Sequence, residues 1–394
     1  EHQEQPDQPD RQDQLDQKDQ RDLQDHNGVT MKKYKISVYA ISKNEEQFVD
    51  RWVDSMQEAD DIYVLDTGSS DHTVERLKER GVHVTSQVIT PWRFDVARNA
   101  SLDLVPEDTD ICVCTDIDEV FEPGWREKLE SLWDESLTRL QYNYNWSLDE
   151  HGKPIVNFYI EKIHRRLGFT WTHPVHEILS YQFGEEKKLV TDEITLNHYP
   201  DRNKSRSSYL PLLELSVQED PEDDRNMHYL GREYMYYEKW NECIDTLIKH
   251  LNLKRATWKD ERCASMRFIA RSYRHLKRYD EAKMWLEKAI QEAPYLRDPY
   301  MEMALLYYEL DDYQEVVTYV TKALQILNHP KSYINEPFSY NETPYDLLAV
   351  SYFYLGDYDR SYQNAMIAVS MNPEDERLKN NLKLIEQAKK ESQE

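Results

Sequence analysis

The hydrophobic period of this chain changes near residue 205, and no single packed layer accommodates both halves. Before that point, β-prone runs alternate with amphipathic helical stretches. "YKISVYAIS", "DIYVLDTG", "VHVTSQV" and "DICVCTDID" read as strands. "EEQFVDRWVDSM" places Phe48, Val49, Trp52, Val53 and Met56 on one helical face. "SDHTVERLKERG" reads as a helix opened by a Ser or Asp cap and stopped by Gly81. Strands alternating with helices build a mostly parallel sheet. Further on, "TRLQYNYNWSLDEHGKPIVNFYIEKIHRR" reads as two strands around Gly152, with Tyr142, Tyr144 and Trp146 on one face. Core packing is the commoner use of such a face; sugar stacking is the other.

Beyond residue 205 four segments share one helical register. Small residues fall at Gly231, Ala270, Ala304 and Ala349, and Tyr234, Tyr273, Tyr307 and Tyr352 follow three positions later. Cys243, Ala282, Val316 and Ser361 come twelve positions after each small residue. The second and third units are 34 residues apart, and Pro294 and Pro373 close two of them. This resembles the tetratricopeptide repeat, in which helix pairs bury their small and large positions by stacking. "NHPKSYINEPFSYNETP" is an insertion before the last unit. A stacked array of this kind presents a concave surface suited to an extended peptide, and it equally offers a face for a homodimer.

The net charge of −26 opposes binding to nucleic-acid phosphates or anionic lipid. The four cysteines have neither disulfide-framework nor zinc spacing; Cys112 and Cys114 share one strand face. They read as reduced core thiols of a cytoplasmic protein. No apolar run reaches the roughly 18–20 residues of a membrane span, and no secretory pattern is present.

Residues 1–30 read as a disordered polar tail with an acid at every third position, from Glu1 to Asp25. All nine acids have codons of the form GAN, and moving the frame back one base can turn each into GGA, glycine, where the preceding codon ends in G. The tail is then an out-of-frame reading of a collagen-like Gly-x-y gene, with the native start at Met31; the alternative is a natural polar tail. The nucleotide sequence decides between them. The expected units are therefore 1–30, a nucleotide-binding unit over 31–204 and helical repeats over 205–394.

The acids Asp116, Asp118 and Glu119 end a strand whose first half is apolar. Buried carboxylates need a partner. In open α/β sheets ligands sit outside the carboxyl ends of the strands, where Ser42–Glu45, Asp66–Asp71 and these acids all fall. "AISKNEE" contains no glycine, so no phosphate-cradling loop follows the first strand. A bound diphosphate then needs another positive partner, and Mg²⁺ or Mn²⁺ held by acids supplies one.

"ISVYAISKNEEQFVDRWVDSM", "ADDIYVLDTGSSDHTVERL", "WRFDVARNASL" and "TDIDEVF" together resemble family 2 glycosyltransferases of the GT-A fold. The resemblance covers about residues 34–200 and rests on four motifs in order; a D-x-D alone is weak. It implies that the backbone around Ala40 and Ser42, with Glu45, lines the nucleoside pocket. Asp66 is implied to bond the base, and Asp95, Arg98 and Asn99 to close the nucleotide site. Asp116 is implied near the ribose or donor sugar, and Asp118 on the metal. "GFTWTHPVHEILSY" and "LVTDEITLNHYP" resemble a subset of the family, which implies His198 as a metal or diphosphate contact and Glu177 facing the acceptor. Bland readings stand beside these. The Asp66–Asp71 stretch also serves as a turn and cap, Arg98 as a surface ion pair, and Glu177 as a structural partner of Arg165 or Arg166. His173 and His176 are also of ligand type, with turn or core roles the commoner reading.

The expectation is a metal-dependent (Mn²⁺ or Mg²⁺), inverting glycosyltransferase of hexosyltransferase type. It moves a sugar from a nucleotide-sugar donor, UDP-linked, to a protein or peptide acceptor, with Glu177 as base. The acidic motif that often carries the base in the family has no clear counterpart here. If the tail is a shifted frame, a collagen-like Gly-x-y protein is the acceptor to test. The alternative is a tetratricopeptide scaffold with a degenerate, inactive sugar-nucleotide domain.

Overall fold

The computed structural model describes residues 33–393. The period-three segment and Met31 lie outside the described residues.

The first half alternates as its periodicity requires: β1 (Ile36–Ser42), α1 (Val49–Met56), β2 (Asp61–Asp66), α2 (Thr73–Glu79), β3 (His83–Ser86), α3 (Phe94–Asp103) and β4 (Ile111–Cys114). There follow β5 (Glu119–Phe121), α4 (Trp125–Leu132), the hairpin β6 (Arg139–Leu148) and β7 (Pro154–Arg165), a small hairpin β8 (Phe169–Thr172) and β9 (Ile178–Tyr181), and β10 (Lys188–His198). Eight strands form one sheet in the order β3-β2-β1-β4-β7-β6-β10-β5. β1 to β4 run parallel; β7 is antiparallel to β4 and β6, and β10 is parallel to β6. The short strand β5 covers the end of β10, pairing Glu119 with His198.

Strand alternation sorts the side chains into two layers. Ile36, Val38, Val113 and Tyr142 pack against Trp52 and Met56 of α1 and Trp125 and Leu129 of α4. Tyr39, Cys112 and Cys114 pack on the opposite face with Leu102, Phe169 and Trp171. All four cysteines are buried and free. Burial pushes the thiols of Cys112 and Cys114 up to about 12 and about 11. Of the aromatic row on β6, Tyr142 and Tyr144 are core, whereas Trp146 is exposed.

The second half is helical: α5 (Tyr209–Glu219), then the pairs α6 (Asp224–Tyr236) with α7 (Trp240–Asn252), α8 (Lys259–His275) with α9 (Tyr279–Glu292), α10 (Asp298–Glu309) with α11 (Tyr313–Leu324), and α12 (Thr343–Tyr354) with α13 (Tyr358–Met371), closed by α14 (Glu376–Glu391). The small register positions are where helices touch. A Cβ on Gly231 would run into Leu247 Cδ2 and Cγ. Cys243, Ala282, Val316 and Ser361 are each 0 % exposed. Asp223, Asp312, Asp357 and Asp375 cap helices by accepting backbone N–H bonds.

The array is bonded to the sheet at two places. Near its start, Leu210, Leu213 and Tyr229 pack with Trp92, Phe94 and Val175. The insertion returns to the sheet further on: Lys331 Nζ donates to Asp192 Oδ1 at 2.5 Å, and Tyr333 meets the Phe158 ring edge-on at 5.6 Å. Glu336 of the same insertion pairs with Arg267 and Arg271 of α8 at 3.1 and 2.7 Å.

Candidate functional site

The carboxyl ends of β1, β2 and β4 carry most of the expected residues. Ser42 and Asp66 are register partners, and Ser42 Oγ donates to Asp66 Oδ1 at 2.9 Å. The N–H groups of Gly68 and Ser69 donate to Asp66 Oδ2 at 3.1 and 2.9 Å, and Ser69 Oγ to Oδ1 at 2.5 Å. This turn needs Gly68, whose φ is +115°. Asp66 therefore organises its own turn. The Ala40 side chain lies in the core, with its backbone in the ladder opposite Val64.

Glu45 is buried; its N–H donates to Thr73 Oγ1 at 2.8 Å, and its carboxylate accepts from Lys204 Nζ at 3.0 Å. Burial pushes this carboxyl up to about 7 against the pull of Lys204, and Asp118 and Asp116 add to the rise.

Arg98, buried on α3, joins two acids. Its Nη2 donates to Asp116 Oδ1 at 2.5 Å and its Nε to Glu177 Oε1 at 3.0 Å. The ion pair of Glu177 is thus with Arg98; Arg165 and Arg166 instead donate to the carbonyls of Glu135 and Val105. Lys162 Nζ lies 3.4 Å from Asp116 Oδ2 and 3.6 Å from Glu119 Oε1. Burial works against ionised Asp116, yet the charges of Arg98 and Lys162 outweigh it and hold the carboxyl well below its usual range. Glu119 is 1 % exposed and accepts from Tyr144 OH and from the Asp116 N–H, both at 2.8 Å. Burial raises its pKa. Glu119 is thereby a buried support beneath Asp116.

Asp118 faces His198, with Oδ2 3.3 Å from Nε2. The other ring nitrogen, Nδ1, is 2.9 Å from the Trp146 carbonyl, an acceptor only, so Nδ1 carries a proton. Nε2 is left directed at a carboxylate. A proton on Nε2 satisfies that geometry, and the same two side chains are of the kind that would hold a divalent cation. Imidazole oriented by a carbonyl and paired with carboxylate is a metal-ligand arrangement. The residues therefore fit a divalent ion. Burial lowers the His198 pKa and Asp118 raises it, with Asp118 prevailing.

Two expected residues serve neighbouring structure. Asp95 accepts from the Val96 N–H at 2.9 Å and from Arg93 Nε and Nη2 at 3.0 and 2.9 Å. Asn99 bonds both backbone groups of Trp171, at 2.8 and 2.9 Å, and so fastens β8 to α3.

The loop that carries Glu177 is held by the array. His173 and His176 have φ values of +77° and +49°, an uncommon region for such residues. The Phe94 N–H donates to the Pro174 carbonyl at 3.0 Å. His173 Nε2 lies 3.2 Å from Asp223 Oδ2. Arg225 Nη1 donates to the His176 carbonyl at 2.6 Å, and the His176 ring stacks on Tyr229 at 4.1 Å. These contacts, and those of Lys162 and Lys204, escaped sequence reading. A lysine inside the apolar strand "YIEKI" was the one local signal.

A cavity of about 510 Å³ lies elsewhere, between strands β6, β7 and β10 and the insertion; Asn143, Asn157, Thr195 and Lys331 are among its lining residues. Within the array Asp224, His250 and Glu261 also gather within 4.8 Å of one another. His250 there bonds Glu261 at 3.2 Å and Ser265 at 2.9 Å, a buried polar chain satisfied by its own members.

The curled mixed sheet with acids at its strand ends, backed by helix pairs, defines a nucleotide-sugar transferase sheet joined to a repeat array. Residues 37–186 match the family model "Glycosyl transferase family 2", and residues 268–295 match "Tetratricopeptide repeat". The first half is accordingly a family 2 glycosyltransferase domain of GT-A type, and the second carries tetratricopeptide repeats. No curated protein matches the sequence. Among solved structures, a crystal structure of MamA is 17% identical, covering 44% of this chain and 96% of its own, with a TM-score of 0.35. The Cut9–Hcn1 hetero-tetramer structure is 16% identical, covering 47% and 33%, at 0.38. A tetratricopeptide protein of Thermus thermophilus is 17% identical, covering 45% and 89%, at 0.33. Among the described residues no helix is long and apolar enough to cross a membrane.

Proposed function

We propose that this chain is a metal-dependent glycosyltransferase that moves a sugar from a UDP-linked donor to a protein or peptide acceptor, with inversion at the anomeric carbon. The observation that carries the metal is His198, whose Nδ1 proton is committed to the Trp146 carbonyl while Nε2 faces Asp118. Asp118 and His198 hold the ion, and a mixed nitrogen and oxygen set suits Mn²⁺ better than Mg²⁺. When bound, the ion offsets charge on the departing diphosphate.

The nucleoside end lies along the Ala40–Ser42 backbone, Glu45 and Asp66, with Asp116 toward the ribose or sugar. Asp95 and Asn99 act by holding α3, from which Arg98 reaches both Asp116 and Glu177. Glu177 is the base: Oε1 is taken by Arg98, while Oε2 has no hydrogen-bond partner among the described residues. It takes the proton of the acceptor hydroxyl or thiol as that atom bonds to the anomeric carbon and the nucleoside diphosphate departs with the electron pair. A protein acceptor is favoured because the array packs directly on the Glu177 loop. A collagen-like Gly-x-y protein is the first acceptor to try, and the cytoplasm is the compartment this reading assigns.

A panel of UDP-sugars with Mn²⁺ and candidate acceptors, read by mass spectrometry, tests the proposal. The expected product is an acceptor heavier by one sugar residue, formed only with metal. Donor binding without transfer to any peptide or protein would overturn the acceptor class.

A further inference from the structure

The first repeat helix carries arginines that the protein's own carboxylates leave unmatched, in a chain of net charge −26. Arg225 and Arg232 lie around His176, the residue before Glu177. Among the described residues, neither has a carboxylate within ion-pair distance; Asp223 and Glu261 act on Arg225 only at longer range. Arg206 completes the group, and its ion pair is with Glu233 at 3.3 Å. Arg232 makes no hydrogen bond among the described residues. Its guanidinium lies 4.6 Å from the Tyr229 ring centre, and its Nε is buried without a partner. His176 Nε2 is likewise buried and unpartnered. The Tyr229 ring face gives the buried Arg232 Nε–H no acceptor, and an unmet buried donor is costly. Burial, then Arg232, Arg225 and Arg206, hold His176 well below its ordinary pKa. Arg225 and Arg232 both lie against the Tyr229 ring on which His176 stacks; Glu233 matches Arg206, but no carboxylate among the described residues pairs with the other two.

We propose that Arg206, Arg225 and Arg232, with His176, receive an oxyanion of a substrate, a phosphate or carboxylate seated beside Glu177. Forked guanidinium donors match either group. A surface this acidic repels anionic substrates, so such a group needs local cations to be held. The placement beside a working Glu177 rests on the function proposed above. Two sources carry the same chemistry: the donor's diphosphate and an acidic group of the acceptor.

The test uses the full chain with ¹⁵N-labelled histidine, titrated with inorganic phosphate while the His176 ring resonances are followed. The expected result is a saturable His176 shift in wild type. In R232Q the affinity falls by about tenfold or more, as loss of a charge-assisted contact implies. R232K, which keeps charge but not the fork, falls in between and serves if R232Q does not fold. UDP with Mn²⁺ and a hexaglutamate peptide are then added as competitors. Displacement by UDP assigns the subsite to the donor; displacement by the peptide assigns it to the acceptor. An unmoved His176, an Arg232-independent affinity, or phosphate displaced by neither competitor would overturn the proposal. Phosphate binding needs no turnover, so absence of glycosyl transfer with the His176 shift intact contradicts the catalytic reading and leaves the subsite standing.

Discussion

Arg98 is the residue on which the site's charge depends. It is buried, yet both Asp116 and Glu177 lean on it. Removing Glu177's charge leaves the Arg98–Asp116 pair in place, so Glu177→Gln tests the proposed base alone. Loss of a general base costs roughly 10²–10⁴ in rate; the variant should lose turnover on that scale while UDP affinity stays near wild type. Wild-type turnover in that variant would exclude Glu177. Glu45 gives a second check, in stability. Its pKa is raised from 4.5 to about 7, chiefly by burial. The folded state then holds a proton that the unfolded state releases, so Glu45's contribution is full below 4.5 and is lost as pH rises to about 7. Thermal midpoints of wild type should fall across that window relative to Glu45→Gln, whose profile should be flatter.

At the scale of elements, the Asp118–His198 pair depends on strand pairing: β5 opposes β10, bringing Asp118 at the end of one beside His198 at the end of the other. Without metal, a proton on His198 Nε2 stabilises the pair. His198's pKa is raised above 6.5, so that contribution is complete below 6.5 and is lost as pH rises through the raised value. The same proton competes with Mn²⁺. Titrations of the wild type should show Mn²⁺ affinity increasing with pH above 6.5, and an affinity that stays level there would contradict His198 as a holder of the ion. In the array, Gly231→Ala places a Cβ against fully buried Leu247. It should cost about 1–3 kcal/mol by denaturant unfolding, the usual range for overpacking. Alternation of period made β1 to β4 and the repeat register legible from sequence, because each rests on side chains two or three to four residues apart. Lys162, Lys204 and Arg225 were not legible as site residues. They reach the site through contacts between distant segments, such as Arg225 to the carbonyl of His176, and no local pattern records those. The carboxylate of Asp66 shows the converse: its motif was plain, but its bonds to Ser42 and Ser69 came only with the turn.

For the whole molecule, the array is a structural part of the site rather than a detachable neighbour. Asp223, Arg225 and Tyr229 grip the loop ending in Glu177, and the insertion grips the far side of the sheet. A fragment ending at residue 204 exposes Trp92, Phe94 and Val175, which the array covers. That fragment should aggregate or, if soluble, retain UDP binding with transfer lost. Full transfer by the fragment would show that the array serves only to capture partners. The central claim is that Asp118 and His198 hold a divalent ion for a nucleotide-sugar, and calorimetric titration of UDP into the full chain with and without Mn²⁺ tests it most directly. The account expects UDP to bind only with Mn²⁺ in wild type and to lose that binding in both Asp118→Asn and His198→Ala. UDP binding that is equal with and without Mn²⁺, or unchanged in the two variants, would contradict it.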